Sequence, residues 1–203
     1  MTEITTLFFD LGGVVLTNGW DFYGRKAAAE HFKINLDDFE ARHDKIYQDF
    51  EKGFISLNDY VDKVVFYEKR NFGKEDFIQF MKGRSKPQKN SIEVLEKLAG
   101  KGKYFLATIN NESYELNQHR IQKNKLNKYF KVFFSSGFLG VRKPEPRIFQ
   151  TALNVSQKKP EECLFIDDRE ENIEEAGKQG INTIHLPDIN KLNQLLVEKG
   201  ITI

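Results

Sequence analysis

The sequence predicts an α/β fold, a Rossmann-like parallel sheet core with an inserted all-helical cap domain, and three observations carry that expectation. Short, continuous apolar runs recur along the chain, as strands covered on both faces require. Amphipathic helical patterns separate most of them, the rhythm of right-handed βαβ units. One long interval, 18–86, breaks the rhythm and contains no convincing strand pattern.

The first strand pattern is ITTLFF (4–9), which runs into Asp10, Gly12 and Gly13. The interval that follows reads as helix. Leu36, Phe39, His43, Ile46, Tyr47 and Phe50 fall on one helical face, and Leu57, Tyr60, Val61, Val64 and Val65 repeat the stripe. Ser56 with Asp59 is a capping signal, and Gly53 and Gly73 punctuate the connections. Beyond it come the helical IEVLEKLA (92–99), the strand KYFLATI (103–109), the helical SYELNQHRIQKN (113–124) and the strand KVFFS (131–135). PRIFQTAL (146–153) is helical, CLFI (163–166) a strand, NIEEAGKQG (172–180) helical and INTIHL (181–186) a fifth strand. The expected domains are a catalytic core of 1–17 with 87–203 and a helical cap of 18–86.

With 203 residues, 39% of them apolar, the chain has room for one ordinary domain and a modest insertion. Lys plus Arg (31) nearly balance Asp plus Glu (30), so the charge of +1 gives no reason to expect nucleic acid or an anionic membrane as partner. The single cysteine, Cys163, excludes an intramolecular disulfide and reads as a buried strand residue. No apolar run approaches the ~18 residues of a membrane span, and the start of the sequence lacks a secretory pattern. The expectation is a cytoplasmic protein, monomer or homodimer. Four histidines without cysteine or HExxH spacing give no zinc site.

In open α/β sheets, ligands gather outside the carboxyl ends of the strands. The polar residues predicted there form a chemical set: Asp10 after the first strand, Thr108, Asn110 and Asn111 at the second, Arg142 and Lys143 after the third, Asp167 and Asp168 at the fourth. Clustered acids repel one another and need a cation, and oxygen ligands without histidine favour Mg²⁺ over a transition metal. Lys143 and Thr108 suit phosphoryl oxygens that carry charge in a transition state. Singly, each residue has a plainer reading: Asp10 as a turn, Asp167 and Asp168 as a helix N-terminus, Thr108 as strand interior.

Taken in order, FFDLGGVV, LATINN, RKPEP and LFIDDREENIEEAG resemble the four motifs of the haloacid dehalogenase-like hydrolase superfamily, with 18–86 where that family places a helical cap. The DLG form of the first motif resembles the branch that acts on sugar 1-phosphates. The resemblance implies a small phosphorylated substrate and a phosphatase using an aspartyl-phosphate intermediate, with Asp10 as nucleophile and metal ligand. It implies the Gly12 carbonyl as a further Mg²⁺ ligand, Asp168 as a direct ligand, Asp167 acting through water, and Thr108 and Lys143 at the phosphate. Asn110, Arg142 and Asn172 are implied beside the substrate, with Asn172 also readable as a helix brace.

The chain departs from the family pattern at Gly12, where most of its phosphatases carry the aspartate that protonates the leaving alcohol. General acid help is worth about 10²–10⁴-fold, so a good leaving group, a cap residue such as Asp21 or His31, or lost turnover in a phosphate-binding regulatory module must account for it. A metal-independent 2-haloacid dehalogenase is the enzymatic alternative, but that branch does not keep the paired acids. The cap aromatics Trp20, Phe22, Tyr23 and Tyr47 are candidates for the substrate's organic face or for cap core.

Overall fold

The computed structural model describes residues 2–203. Five parallel strands, β1 (Thr6–Phe9), β2 (Phe105–Asn110), β3 (Val132–Ser135), β4 (Cys163–Asp167) and β5 (Asn182–His185), form one sheet in the order β3-β2-β1-β4-β5. β1 lies at its centre, with Phe9 opposite Thr108 on one side and Ile166 on the other. Residues leaving β1 therefore emerge between the ends of β2 and β4, at the point where the strand order reverses.

The unbroken apolar character of the strands follows from cover on both faces. Phe8, Ala107, Ile109, Phe134 and Phe165 face one cluster with Ile148, Phe149 and Ala152 of the helix Pro146–Ser156. Leu7, Phe9, Leu106, Leu164 and Ile166 face the other, with Val94, Leu95 and Leu98 of Lys89–Lys101 and Leu192 and Leu196 of Leu192–Glu198. Full burial of such a side chain contributes about 1.5–3 kcal/mol, so the register is strongly specified. Cys163 is a buried free thiol whose pKa burial raises to about 12, and it behaves as a small core residue.

Between β1 and β2 lie five helices, α1 (Phe22–Phe32), α2 (Leu36–Asp44), α3 (Tyr47–Glu51), α4 (Leu57–Val64) and α5 (Lys74–Gly83). They enclose their own core, including Phe39, Phe50, Tyr60, Val61, Val64 and Phe77. Ser56 caps α4 by accepting from the Asp59 amide at 3.1 Å, while its hydroxyl donates to the Asp59 carboxylate at 2.6 Å. The two crossings to the sheet run side by side: the Thr17 amide donates to Lys86 O at 2.8 Å and the Gln88 amide to Val15 O at 3.0 Å.

The single helical face expected over residues 36–50 is divided. Ile46, at φ −134° and ψ −2°, leaves the helical region and separates α2 from α3. The break lets Phe50 stack flat on Tyr60 at 4.0 Å and Tyr47 stack on His43 at 5.4 Å. Tertiary packing of aromatic rings outweighs the propensity of a continuous helix.

Candidate active site

The turn after β1 is shaped by its glycines. Val15 N and Leu16 N both donate to Leu11 O, at 3.0 and 2.7 Å, and Gly13 takes φ +79°, a conformation that favours glycine. A Cβ on Gly13 would also lie 2.2 Å from an Asp168 carboxylate oxygen, so residue 13 must be bare for Asp168 to approach the turn. The Gln88 amide group, donating to Gly13 O at 2.7 Å, and Ser91, whose hydroxyl donates to Val14 O at 2.5 Å, hold the turn in place.

Asp10, Asp167 and Asp168 meet at this point, each offering a carboxylate oxygen within 4.8 Å of the others. Lys143 joins them from the loop after β3, with Nζ 2.8 Å from Asp10 Oδ1 and 2.5 Å from Asp167 Oδ2. Its peptide bond to Pro144 is cis. The Asn111 side chain sets the lysine by accepting from its amide at 2.8 Å and donating to its carbonyl at 2.9 Å. Asp167 also accepts from the Arg169 amide at 2.8 Å and from Asn172 Nδ2 at 3.0 and 3.1 Å. The Asp168 carboxylate is engaged by none of these donors and stays half-buried.

Burial raises the Asp10 pKa to about 7, and repulsion from Asp167 and Asp168 adds to the rise while Lys143 opposes it. Asp168 is raised by burial and then by Asp167. For Lys143, burial works against the charged form, but Asp10 and Asp167 outweigh it and the net shift is upward. One ammonium thus serves a cluster of three acids and leaves negative charge uncompensated. Three carboxylates without histidine or cysteine fit a hard divalent cation bound through oxygen.

The cluster opens into a cleft of about 620 Å³, whose walls include Gly12, Asn18, Trp20, Asp21, Glu51, Asn111, Glu112, Arg120, Arg142 and Asn172. Gly12, Lys143, Asp168, Arg142 and Asn172 therefore stand at the cleft with Asp10, as the sequence leads one to expect. Thr108, Asn110 and Asp167 do not line the cleft wall. Thr108 and Asn110 are fully buried below it: Thr108 Oγ1 donates to Asn110 Oδ1 at 3.2 Å, and Asn110 Nδ2 to Asn117 Oδ1 at 3.0 Å. In register with Phe9, Thr108 has its polar demand met inside the sheet, and Asn111 takes the exposed position.

Asp21 lies at the cleft and caps α1 by accepting from the Gly24 amide at 2.8 Å. His31 is exposed, stacked on Phe80, and is not part of the cleft wall. Of the aromatics offered for the substrate, Trp20 alone borders the cleft, while Phe22 and Tyr23 are exposed and Tyr47 rests on His43. Glu51, Glu112 and Arg120 were not expected. Glu51 of α3 accepts from Arg142 Nε at 2.7 Å, and Arg120 pairs with Glu112 at 2.8 Å. Only their later proximity distinguishes them from surface charges in the sequence.

A family model described as haloacid dehalogenase-like hydrolase matches residues 4–180. The chain is 32% identical over 97 residues to (S)-2-haloacid dehalogenase 4A of Burkholderia cepacia, a stretch covering 48% of this chain and 42% of that protein. With D-ribitol-5-phosphate phosphatase of Bacteroides thetaiotaomicron it shares 28% identity over 194 residues, 89% of this chain and 90% of the relative. A HAD family enzyme of Bacteroides thetaiotaomicron, solved as a magnesium complex, superposes with a TM-score of 0.77 at 25% identity, covering 91% of this chain and 93% of that one. The chain thus spans under half of the dehalogenase's length. A family match along most of the sequence, on a parallel sheet whose carboxyl edge gathers these acids, makes the conclusion plain: the chain belongs to the haloacid dehalogenase-like hydrolases.

Proposed function

We propose that this hydrolase is a Mg²⁺-dependent phosphatase of small phosphomonoesters, with Asp10 as nucleophile, and that residues 18–86 act as its cap. The observation that carries the reading is the cluster of Asp10, Asp167 and Asp168 around one lysine. Such a site attracts a cation and then a phosphate, and a second anion without that cation would be repelled. A bound Mg²⁺ would supply the positive charge that ionises Asp10 and offsets the phosphoryl oxygens. Asp10, Asp168 and the Gly12 carbonyl would hold it. The hydrogen bonds from Arg169 N and Asn172 occupy Asp167 and leave Asp168 the freer ligand, which supports the less direct role for Asp167.

An Asp10 carboxylate oxygen forms the bond to phosphorus as the ester oxygen leaves, giving an aspartyl-phosphate that water hydrolyses in a second step. Lys143, fixed by Asn111, keeps an ammonium against the charge gathering around Asp10. Trp20 and Asp21, just before α1, and Glu51 of α3 line the cleft, where they would exclude water and meet the substrate's organic half.

Assay of p-nitrophenyl phosphate and a panel of sugar, acyl and nucleoside phosphates, with Mg²⁺ and with EDTA, tests the reading. Wild type should turn over with Mg²⁺ only, and Asp10→Asn should lose at least about 10³-fold, given the share of the barrier carried by a covalent nucleophile. Equal inactivity of the two proteins across the panel overturns it. Metal-independent chloride release from a 2-haloacid would establish dehalogenase activity instead.

A further inference from the structure

Gly12 leaves position 12, beside Asp10, without a carboxyl group, and a Cβ built there would meet Asn18 Oδ1 at 2.8 Å and Arg120 Nη2 at 3.9 Å. A Cβ on Gly19 would approach the same guanidinium nitrogen to 2.9 Å. Gly19 thus leaves room for the guanidinium, which Gly12 and Asn18 border. It is 5% exposed, a cleft-lining residue brought from the helix Tyr114–Lys123.

We propose that Arg120 is a catalytic residue which stabilises the negative charge developing on the leaving-group oxygen, from the wall of the cleft beside Gly12. The inference rests on the phosphatase reading and names the group that works where no acid is present. Arg120 Nη1 is held by Glu112 Oε2 at 2.8 Å and Nη2 donates to Thr17 O at 3.2 Å, so the fork is fixed before substrate arrives. Preorganised donors in a water-poor site act most strongly on charge that appears only in the transition state. Glu112 is buried with Arg120, so little water reaches this wall of the cleft. An aspartate at position 12 would first have to displace Asn18, and glycine leaves both Asn18 and the guanidinium in place.

As the Asp10 oxygen bonds to phosphorus, the bond from phosphorus to the ester oxygen breaks and leaves its electron pair on that oxygen. A guanidinium keeps its proton and offsets this charge by hydrogen bonding. The released oxygen then takes its proton from water. The contribution should grow with the basicity of the leaving group.

The test is kcat/KM for p-nitrophenyl phosphate, phenyl phosphate and a primary alkyl phosphate with Mg²⁺, in wild type, Arg120→Lys and Arg120→Gln. The double variant Arg120→Gln/Glu112→Gln removes the buried carboxylate that would otherwise be left unpaired. Loss should be about tenfold or less for the nitrophenyl ester and rise to about 10²–10³-fold for the alkyl ester, the usual effect of one lost transition-state donor. Arg120→Lys should recover part of it. An equal loss on all three esters, or none, overturns the proposal while leaving the phosphatase reading intact. Wild type inactive on every ester overturns both.

Discussion

Replacing Lys143 with methionine tests the electrostatic account of the site without reference to turnover. The ammonium is 2% exposed and contacts two carboxylates, Asp10 at 2.8 Å and Asp167 at 2.5 Å, with Asp168 in the same cluster. Methionine preserves most of the volume, so the change is chiefly one of charge. Removing one partner of a buried ion pair costs about 3–5 kcal/mol because the other charge is left uncompensated. For a chain of this length, each kcal/mol moves the midpoint by about 2–4 °C, giving a fall of about 6–20 °C in EDTA. On the reading proposed above, saturating Mg²⁺ would bind the folded acids and not the unfolded chain, so it should restore much of the loss and stabilise the variant more than wild type. Thermal unfolding by circular dichroism, with and without Mg²⁺, reads both effects. A loss under about 1 kcal/mol, or equal Mg²⁺ stabilisation of the two proteins, would refute the claim that Lys143 and the metal answer the same cluster of negative charge.

The cap carries a separate pH dependence. His43 Nδ1 lies 2.8 Å from Tyr60 Oη, within hydrogen-bonding distance, and the same hydroxyl accepts from Trp20 Nε1 at 2.9 Å. Burial, with Arg25 nearby, lowers the His43 pKa from 6.5 to about 4, so the fold prefers the neutral ring. The unfolded chain then binds the proton first, and stability should fall as pH drops from about 6.5 towards 4, by at most about 3 kcal/mol and less with partial solvation. Urea melts across that range should show the decline, and His43→Gln should flatten it; an unchanged slope would exclude His43 as its source. Gly13→Ala should cost at least about 1–2 kcal/mol from its left-handed backbone alone. Because its Cβ would lie 2.2 Å from Asp168, it should also weaken Mg²⁺ binding measured by calorimetry.

The sheet was legible because its strands are short, continuous apolar runs, and the acids at their ends were legible because a charge terminating such a run is conspicuous. Asp10, Asp167, Asp168 and Lys143 converge for that reason. Thr108 and Asn110 show where that logic thins. A polar residue within a strand end can satisfy itself internally, and the Asn110–Asn117–Ser135 network does so with bonds of 3.0, 2.8 and 2.7 Å. Sequence order gives proximity to the strand end but not the face on which a side chain leaves it. Arg120 was hidden for a different reason. It stands in a helix of mostly polar residues, and its burial arises only when α5, the first crossing and Glu112 close around it.

Those two cases share a physical cause. An anion site at a sheet edge needs charge brought from outside the strands, because strand side chains near the edge are divided between the two cores and are half lost to the cleft. Here Lys143, Arg120 and Arg142 all arrive from loops or helices, and all three are tied to carboxylates, Lys143 to Asp10 and Asp167, Arg120 to Glu112 and Arg142 to Glu51. Those ties fix the guanidiniums and cancel much of their attraction for a free anion. They retain the directed donors that a charge developing at a fixed place requires. If the phosphatase reading proposed above holds, a cleft built this way would favour a transferring phosphoryl group over a second permanent anion. A phosphate ester with an uncharged organic half should then be turned over faster than an analogue with an added carboxylate, an order that kcat/KM for the two would check.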